Sequence, residues 1–214
     1  MLNALASYIP AGERVVVIED SRELQLQREH VVQLEARAPD RKGRGAVGVG
    51  DLFRATLRLR PDRIVVGEIR GGEALDLVQA MTSGHGGCLT TLHATYPRDT
   101  LTRLETMSMM SDVDMPLAAM RMQIGSAVQF ILQTARVQDG TRKVTHLTEV
   151  RGYDPSASTY LVQDLFVRRH QGIDPQGEVL SELLPTGELP HALPILLEHG
   201  FDMPPSVYAA KHSG

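Results

Sequence analysis

Three short strand-like segments in this sequence each end in a residue able to move a proton or hold a cation. Val15-Val16-Val17-Ile18 runs into Glu19-Asp20, Ile64-Val65-Val66 into Gly67-Glu68, and Cys88–Leu92 into His93. Short runs of mostly β-branched residues read as strands buried on both faces. In open α/β sheets, ligands gather outside the carboxyl ends of the strands. Parallel strands would therefore bring Glu19, Asp20, Glu68 and His93 to one edge. A carboxylate at the end of a buried strand can hold Mg²⁺ or orient a water that attacks a phosphoryl group. Taken singly, such a carboxylate is more often a helix cap or a solvated loop residue. Polar ends on three successive strands point to a site.

The elements that must position these residues follow from punctuation and period. Met1–Tyr8 reads as a short helix ended by Pro10-Ala11-Gly12, and Arg14–Ile18 as a buried strand. Val31–Ala36 is a second strand, and Arg37–Gly50 a loop rich in Gly, Arg and Lys. Asp51–Leu59 is a helix opened by Asp51 or Gly50 and broken by Pro61. Ile64–Val66 is a strand, Glu73–Met81 a helix, Cys88–Leu92 a strand, and Arg98–Met109 and Pro116–Ile124 helices. Alternating strands and helices imply an α/β fold with a mostly parallel sheet. The pattern changes at about position 136. Val128–Ala135 and Lys143–Val150 flank Asp139-Gly140, a hairpin signal, and Thr159–Phe166 reads as one more strand. After Gly172 six prolines suggest an irregular tail with one helix near Leu193–His199. The expected division is an α/β core over 1–136 and an antiparallel hairpin with a Pro-rich appendage over 137–214.

Composition limits the function classes. The 214 residues are 42% hydrophobic and 22% charged, as in an ordinary globular chain. A net charge of −4 and only 4% aromatics, with no Trp, argue against a nucleic-acid surface. The single Cys88 allows no intrachain disulfide and suits a reducing compartment. No apolar run approaches the roughly 20 residues of a membrane span, and no basic, then apolar, leader is visible, so a cytoplasmic location is expected. The methionines between Met107 and Met122 fall on helices and read as core packing.

The segment LRPDRIVVGEIRGGEALDLVQAMTSGHGGCLTTLHAT around Glu68 makes the reading specific. It resembles the Walker B and His-box region of the type II/type IV secretion ATPase superfamily. RVVVIEDSRELQL over Arg14–Leu26 is similar to the superfamily's Asp box. DGTRKVTHLTEVRGYD followed by LVQDLF resembles the CpaF/TadA branch, whose members power pilus assembly and tight adherence. The likeness runs from about Leu2 to about Leu197. It implies a RecA-like P-loop NTPase core that uses ATP and Mg²⁺, a homo-hexameric ring, and docking on an inner-membrane platform protein from the cytoplasmic side. Carried over residue by residue, it implies that Glu68 polarises the attacking water. Glu19 would help to order Mg²⁺ and water, supported by Asp20 and Glu23, with Glu19 and Glu68 both reaching the metal through water. His93 would lie near the γ-phosphate and His85 in the same network. Arg58 and Arg70 would steady phosphate charge within or across subunits, a task that suits an always-charged, forked guanidinium. Thr90 and Thr91 would anchor the strand end. Read without the resemblance, Arg58 and Arg60 in LRLR are one solvated helix face, and His85 between glycines is a turn residue.

The superfamily's GxxGxGK(S/T) loop, whose backbone amides cradle phosphates and whose Lys neutralises them, does not occur in these residues. GRGAVGVGD over 43–51 has the glycines but no Lys-Ser or Lys-Thr. In the superfamily that loop directly precedes a segment like LNALASYIP, which here begins at Leu2. The expectation is a fragment, a misassigned start or a decayed copy, without the loop, its strand and the N-terminal domain, poorly stable unless a partner covers the gap and with little activity alone. The alternatives are a catalytically dead remnant or assembly subunit and, with less support, a RecA-like nucleic-acid-dependent ATPase.

Overall fold

The computed structural model describes residues 1–210. The last four residues of the stretch expected as an appendage, 211–214, lie outside them. The described chain forms two compact units, Met1–Ala94 with Thr102–Ala127, and Thr95–Leu101 with the residues from Val128 on.

The first unit holds a four-stranded parallel sheet in the order β2-β1-β3-β4, made of β1 (Val15–Glu19), β2 (Val31–Glu35), β3 (Arg63–Val66) and β4 (Leu89–Thr90). The apolar runs become the central strands because burial on both faces demands side chains without polar atoms. Val15, Val16, Val17, Ile18 and Val65 are fully buried. Alternation sends Val15, Val17 and Val65 to one face, where they pack with Leu2, Ala6 and Ile9 of α1 (Leu2–Ala6) and its exit. Val16, Ile18, Ile64 and Val66 face the other way. Helices α2 (Val49–Thr56), α3 (Glu73–Thr82) and α5 (Leu117–Ala127) supply further core side chains, among them Phe53, Leu75, Leu77 and Ile124, and α4 (Pro97–Ser108) belongs to this unit from Thr102 on. Asp51 does not open α2. The helix begins at Val49, and Asp51 Oδ2 reaches back to accept the Gly48 N–H at 3.0 Å. Among the methionines, Met107 and Met120 are core, whereas Met109, Met110 and Met122 are more than half exposed, so core packing holds for only part of that cluster.

One close approach fixes the turn into α3. A Cβ on Gly72 would lie 2.9 Å from both Cα and N of Ser111, and 3.0 Å from the Met110 carbonyl oxygen. Gly72 has φ −60°, which alanine adopts freely. Chain entropy alone would then favour Gly72→Ala by about 0.4–1 kcal/mol, but overpacking against backbone costs about 1–3 kcal/mol. The overlap should win, and Gly72→Ala is expected to lower the urea midpoint at unchanged m-value. An equal or higher midpoint would show that the α4–α5 connection yields instead.

The second unit is an antiparallel sheet in the order β5-β6-β7-β8, with β5 (Phe130–Arg136), β6 (Arg142–Asp154), β7 (Thr159–Ile173) and β8 (Val179–Pro185). The Asp139-Gly140 turn joins β5 to β6, with Gly140 at φ 83°. Asp139 accepts hydrogen bonds from the Thr141 hydroxyl and the Thr141 and Val179 amides, which hold its carboxyl down at about 2. Two features extend the expected hairpin. β5 pairs with β6 over its whole length, which places 130–136 with the second sheet and not with the core ending at 136. The Pro-rich stretch is also less irregular than its composition suggests, because Val179–Pro185 forms a strand against β7. Beyond it, buried Glu149 accepts the His191 and Ala192 amides at 2.9 and 3.0 Å and so tethers the start of α6 (Leu193–Glu198). No helix among the described residues is long and apolar enough to cross a membrane.

Candidate functional site

Parallel pairing in register carries the ends of β1, β3 and β4 to one edge of the first sheet. Glu68 follows β3 by two residues and His93 follows β4 by three. The Glu68 carboxylate has a side-chain partner at each oxygen. Arg70 donates from Nη2 to Oε2 at 2.5 Å, and His93 Nε2 lies 3.2 Å from Oε1. The Glu68 side chain is only 21% exposed, against 67% for Arg70 and 87% for His93. Arg70, first through its hydrogen bond and then through its charge, holds Glu68 below the usual carboxylate range. His93 and Arg103 of α4 add to that effect, against the burial that pushes the other way. Glu68 is thus a largely buried, ionised carboxylate in a cationic setting.

The edge is built by the loops that leave the strands. Thr91 donates its hydroxyl to the Gly67 carbonyl at 2.5 Å and accepts the Ile69 amide on its own carbonyl at 3.1 Å, tying the β3 and β4 exits together. The Thr90 hydroxyl makes only a 3.4 Å contact with the Thr91 carbonyl. Glu19, at the end of β1, is buried beside Gly67, where an added Cβ would come within 3.1 Å of its Cγ. Its Oε1 accepts the Glu23 and Leu24 amides at 3.0 and 2.9 Å, closing the turn after β1. Asp20 and Glu23 lie close enough to Arg70 to act on its charge. Glu73 at the start of α3 accepts the Arg70 and Gly71 amides at 2.7 and 2.9 Å.

The expected residues divide between two edges. Glu19, Glu68, Arg70 and His93 come together, with Asp20 and Glu23 beside them. His85 does not join them. It precedes β4, and Gly87 between the two lies against the Arg63 side chain at the start of β3. His85 therefore belongs to the amino-terminal edge of the sheet, several residues of about 3.3 Å rise away from Glu68. Its Nδ1 is buried without a hydrogen-bond partner among the described residues, and its carbonyl accepts the Cys88 thiol at 3.2 Å. Burial pushes the Cys88 thiol up to about 11. Arg58 also lies toward that edge, exposed in the 3₁₀ turn Leu57–Leu59 that feeds β3. The same edge is pinned by a Glu13–Arg63 ion pair and by Asp62 accepting the Arg14 amide at 2.7 Å. Arg103 and Glu73 escaped the sequence reading. Arg103 is a helix residue that only tertiary packing brings near Glu68. Glu73 was legible only as an acidic first-turn residue.

The donor set limits how a cation could be held here. Among the described residues no three His, Cys, Asp or Glu side chains gather into a cage. Mg²⁺ characteristically keeps several waters and binds through one or two carboxylates plus substrate phosphates. Glu68 and Glu19, adjacent on one edge with oxygens already engaged by amides or cations, fit that outer role through water.

The family described as "Type II/IV secretion system protein" matches residues 1–170. A putative conjugal transfer protein of Mycobacterium tuberculosis is 39% identical over 151 residues, 71% of this chain and 42% of its own. The type IV secretion system protein PtlH of Bordetella pertussis is 38% identical over 139 residues, 64% of this chain and 41% of its own. The crystal structure of the VirB11 ATPase from the Brucella suis type IV secretion system, in complex with sulphate, superposes with a TM-score of 0.61 at 31% identity. That match covers 73% of this chain and 45% of the other. The Legionella pneumophila ATPase DotB shares the fold, with a TM-score of 0.50 at 21% identity over 73% of this chain and 42% of its own. The chain spans less than half the length of each of these relatives. It belongs to the type II/IV secretion system protein family.

Proposed function

We propose that these residues form the catalytic part of an ATP-hydrolysing motor subunit that powers type II/IV secretion or pilus assembly, of the CpaF/TadA branch. The observation that carries the reading is the Glu68 arrangement, an ionised carboxylate just beyond buried Ile64, Val65 and Val66, flanked by Arg70 and His93 on the edge it shares with Glu19. In that role Glu68 accepts a proton from, or polarises, the water that attacks the γ-phosphate. Arg70 meets the charge that spreads over the transferring oxygens, and His93 contacts the phosphate. Glu19 and Glu68 would hold Mg²⁺ through water, and the ion would supply neutralisation of phosphate charge. Arg58, toward the other edge of its own sheet, serves the site of a neighbouring copy. The working form is a homo-hexamer at the cytoplasmic face of the inner membrane, docked on a platform protein.

A second reading is an assembly subunit without turnover. The 214 residues contain no GxxGxGK(S/T) string. A nucleic-acid-dependent ATPase has less support, given the net charge of −4. The test compares the 214-residue chain with a protein in which these residues are joined to such a phosphate-binding loop, the loop-bearing protein. The chain by itself is expected to show no Mg²⁺-dependent ATP turnover above background, because the amides and Lys that hold the phosphates are not among its residues. The loop-bearing protein is expected to hydrolyse ATP. Binding without turnover there would favour the assembly subunit. Hydrolysis by the 214-residue chain that survives Glu68→Gln would contradict the assignment of the site.

A further inference from the structure

A helix N-terminus attracts carboxylates, because its first amides lack intrahelical partners and carry the positive end of the helix dipole. Glu73 does more than satisfy its own helix. Its Oε1 reaches backward to the amides of Arg70 and Gly71 at 2.7 and 2.9 Å, outside α3. Those amides belong to the turn whose first side chain pairs with Glu68. The other side of the turn cannot drift, because Gly72 is pressed against the Ser111 and Met110 backbone. The Gly71 and Gly72 carbonyls accept the Ala74 and Leu75 amides at 3.1 Å each, which completes the joint. The Arg70 side chain itself is two-thirds exposed and has nothing but its base and its partner to fix it. Competing carboxylates stand nearby, since Asp20 and Glu23 act on Arg70 from the turn after β1. His93 and Arg103 face Glu68 from the β4 exit and from α4. A guanidinium with three carboxylates within its electrostatic reach needs a fixed starting point to favour one of them.

We propose that Glu73 is a positioning residue: its carboxylate fixes the Arg70–Gly71 turn and thereby sets the Arg70 guanidinium on Glu68 rather than on Asp20 or Glu23. The value of that placement for phosphate chemistry rests on the ATPase reading, but the placement itself does not.

The test therefore uses no nucleotide. In the ¹⁵N-labelled 214-residue chain, NMR follows hydrogen exchange at the Arg70 and Gly71 amides and the guanidinium resonances of Arg70. Glu73→Ala should speed exchange at both amides about 10-fold or more, the scale of losing a hydrogen bond to a charged acceptor. It should also collapse the resolved Arg70 Nη signals to the averaged pattern seen in a Glu68→Ala control. Glu73→Gln, which keeps an acceptor oxygen, should restore both. Faster amide exchange with wild-type guanidinium signals would reduce Glu73 to a helix cap and overturn the proposal. Should Glu73→Ala not fold, the wild-type chain still decides the matter. Couplings across the hydrogen bonds from the Arg70 and Gly71 nitrogens to the Glu73 carboxyl carbon, together with hindered Arg70 Nη rotation, are expected, and the absence of either would overturn the proposal. A negative result here leaves the ATPase reading standing, and a failure of ATP turnover leaves this joint standing.

Discussion

Glu68→Gln in the loop-bearing protein is expected to lower ATP turnover by a factor on the order of 10³ while leaving the Kd for Mg²⁺-ATP within a few-fold of wild type. The amide is nearly isosteric with the carboxylate, so the buried strand β3 and its neighbours keep their packing. Its one carbonyl oxygen can still accept from Arg70, while its NH2, a donor only, takes the place of the oxygen that faces Nε2 of His93. What it cannot do is take a proton or present a full negative charge to water. A positioned general base contributes about 10²–10⁴ to rate, and the Gln variant forfeits that contribution alone. Measured kcat and Kd separate the two effects. A turnover within a few-fold of wild type would remove Glu68 from the chemistry and leave it as one member of an ion pair.

Arg70→Ala should lower turnover of the same protein by a factor on the order of 10², the low side of what a transition-state arginine contributes to phosphoryl transfer. On the proposed function, Arg70, two residues from Glu68 and hydrogen-bonded to it, serves the site of its own chain. Arg58, toward the opposite edge and ahead of β3, would then serve the site of another copy. Mixing variants distinguishes them. A ring of Arg58→Ala and Glu68→Gln subunits contains some interfaces with both groups intact and should recover activity. A ring of Arg70→Ala and Glu68→Gln subunits contains no chain with both and should not. Recovery in the second mixture would place Arg70 across the interface. No loss at all on Arg58→Ala would return that residue to the solvated face read from LRLR alone.

The strands that carry the site were legible because their chemistry is extreme. Four consecutive apolar residues at Val15–Ile18 and three at Ile64–Val66 leave no polar face for a helix in water, and a central parallel strand is the structure that buries them. Parallel register then puts whatever follows each run on one edge, which is how Glu19, Glu68 and His93 could be gathered from sequence. The same logic separates His85 from His93. They are close in sequence, but β4 runs between them and carries them to opposite edges. Likeness of local motif suggested one network, whereas strand direction divides it. Val179–Pro185 was illegible because prolines surround it and its pairing partner β7 supplies the reason to be extended. Exposure of Met109, Met110 and Met122 was equally hidden, since helical periodicity places them without saying which face meets the core. Arg103 approaches Glu68 only through packing of α4, a long-range fact that no local spacing encodes.

The most direct measurement of the central claim is a structure of the loop-bearing protein with Mg²⁺ and a non-hydrolysable ATP analogue. The γ-phosphate is expected at the carboxyl edge of the parallel sheet, within hydrogen-bonding distance of His93 or Arg70, with Glu68 facing the position of the attacking water and Glu19 reaching the metal through a water. His85 of the same chain should make no contact with the nucleotide. A γ-phosphate seated instead at the amino-terminal edge, against His85 or Arg58 of the same chain and away from Glu68, would contradict the assignment.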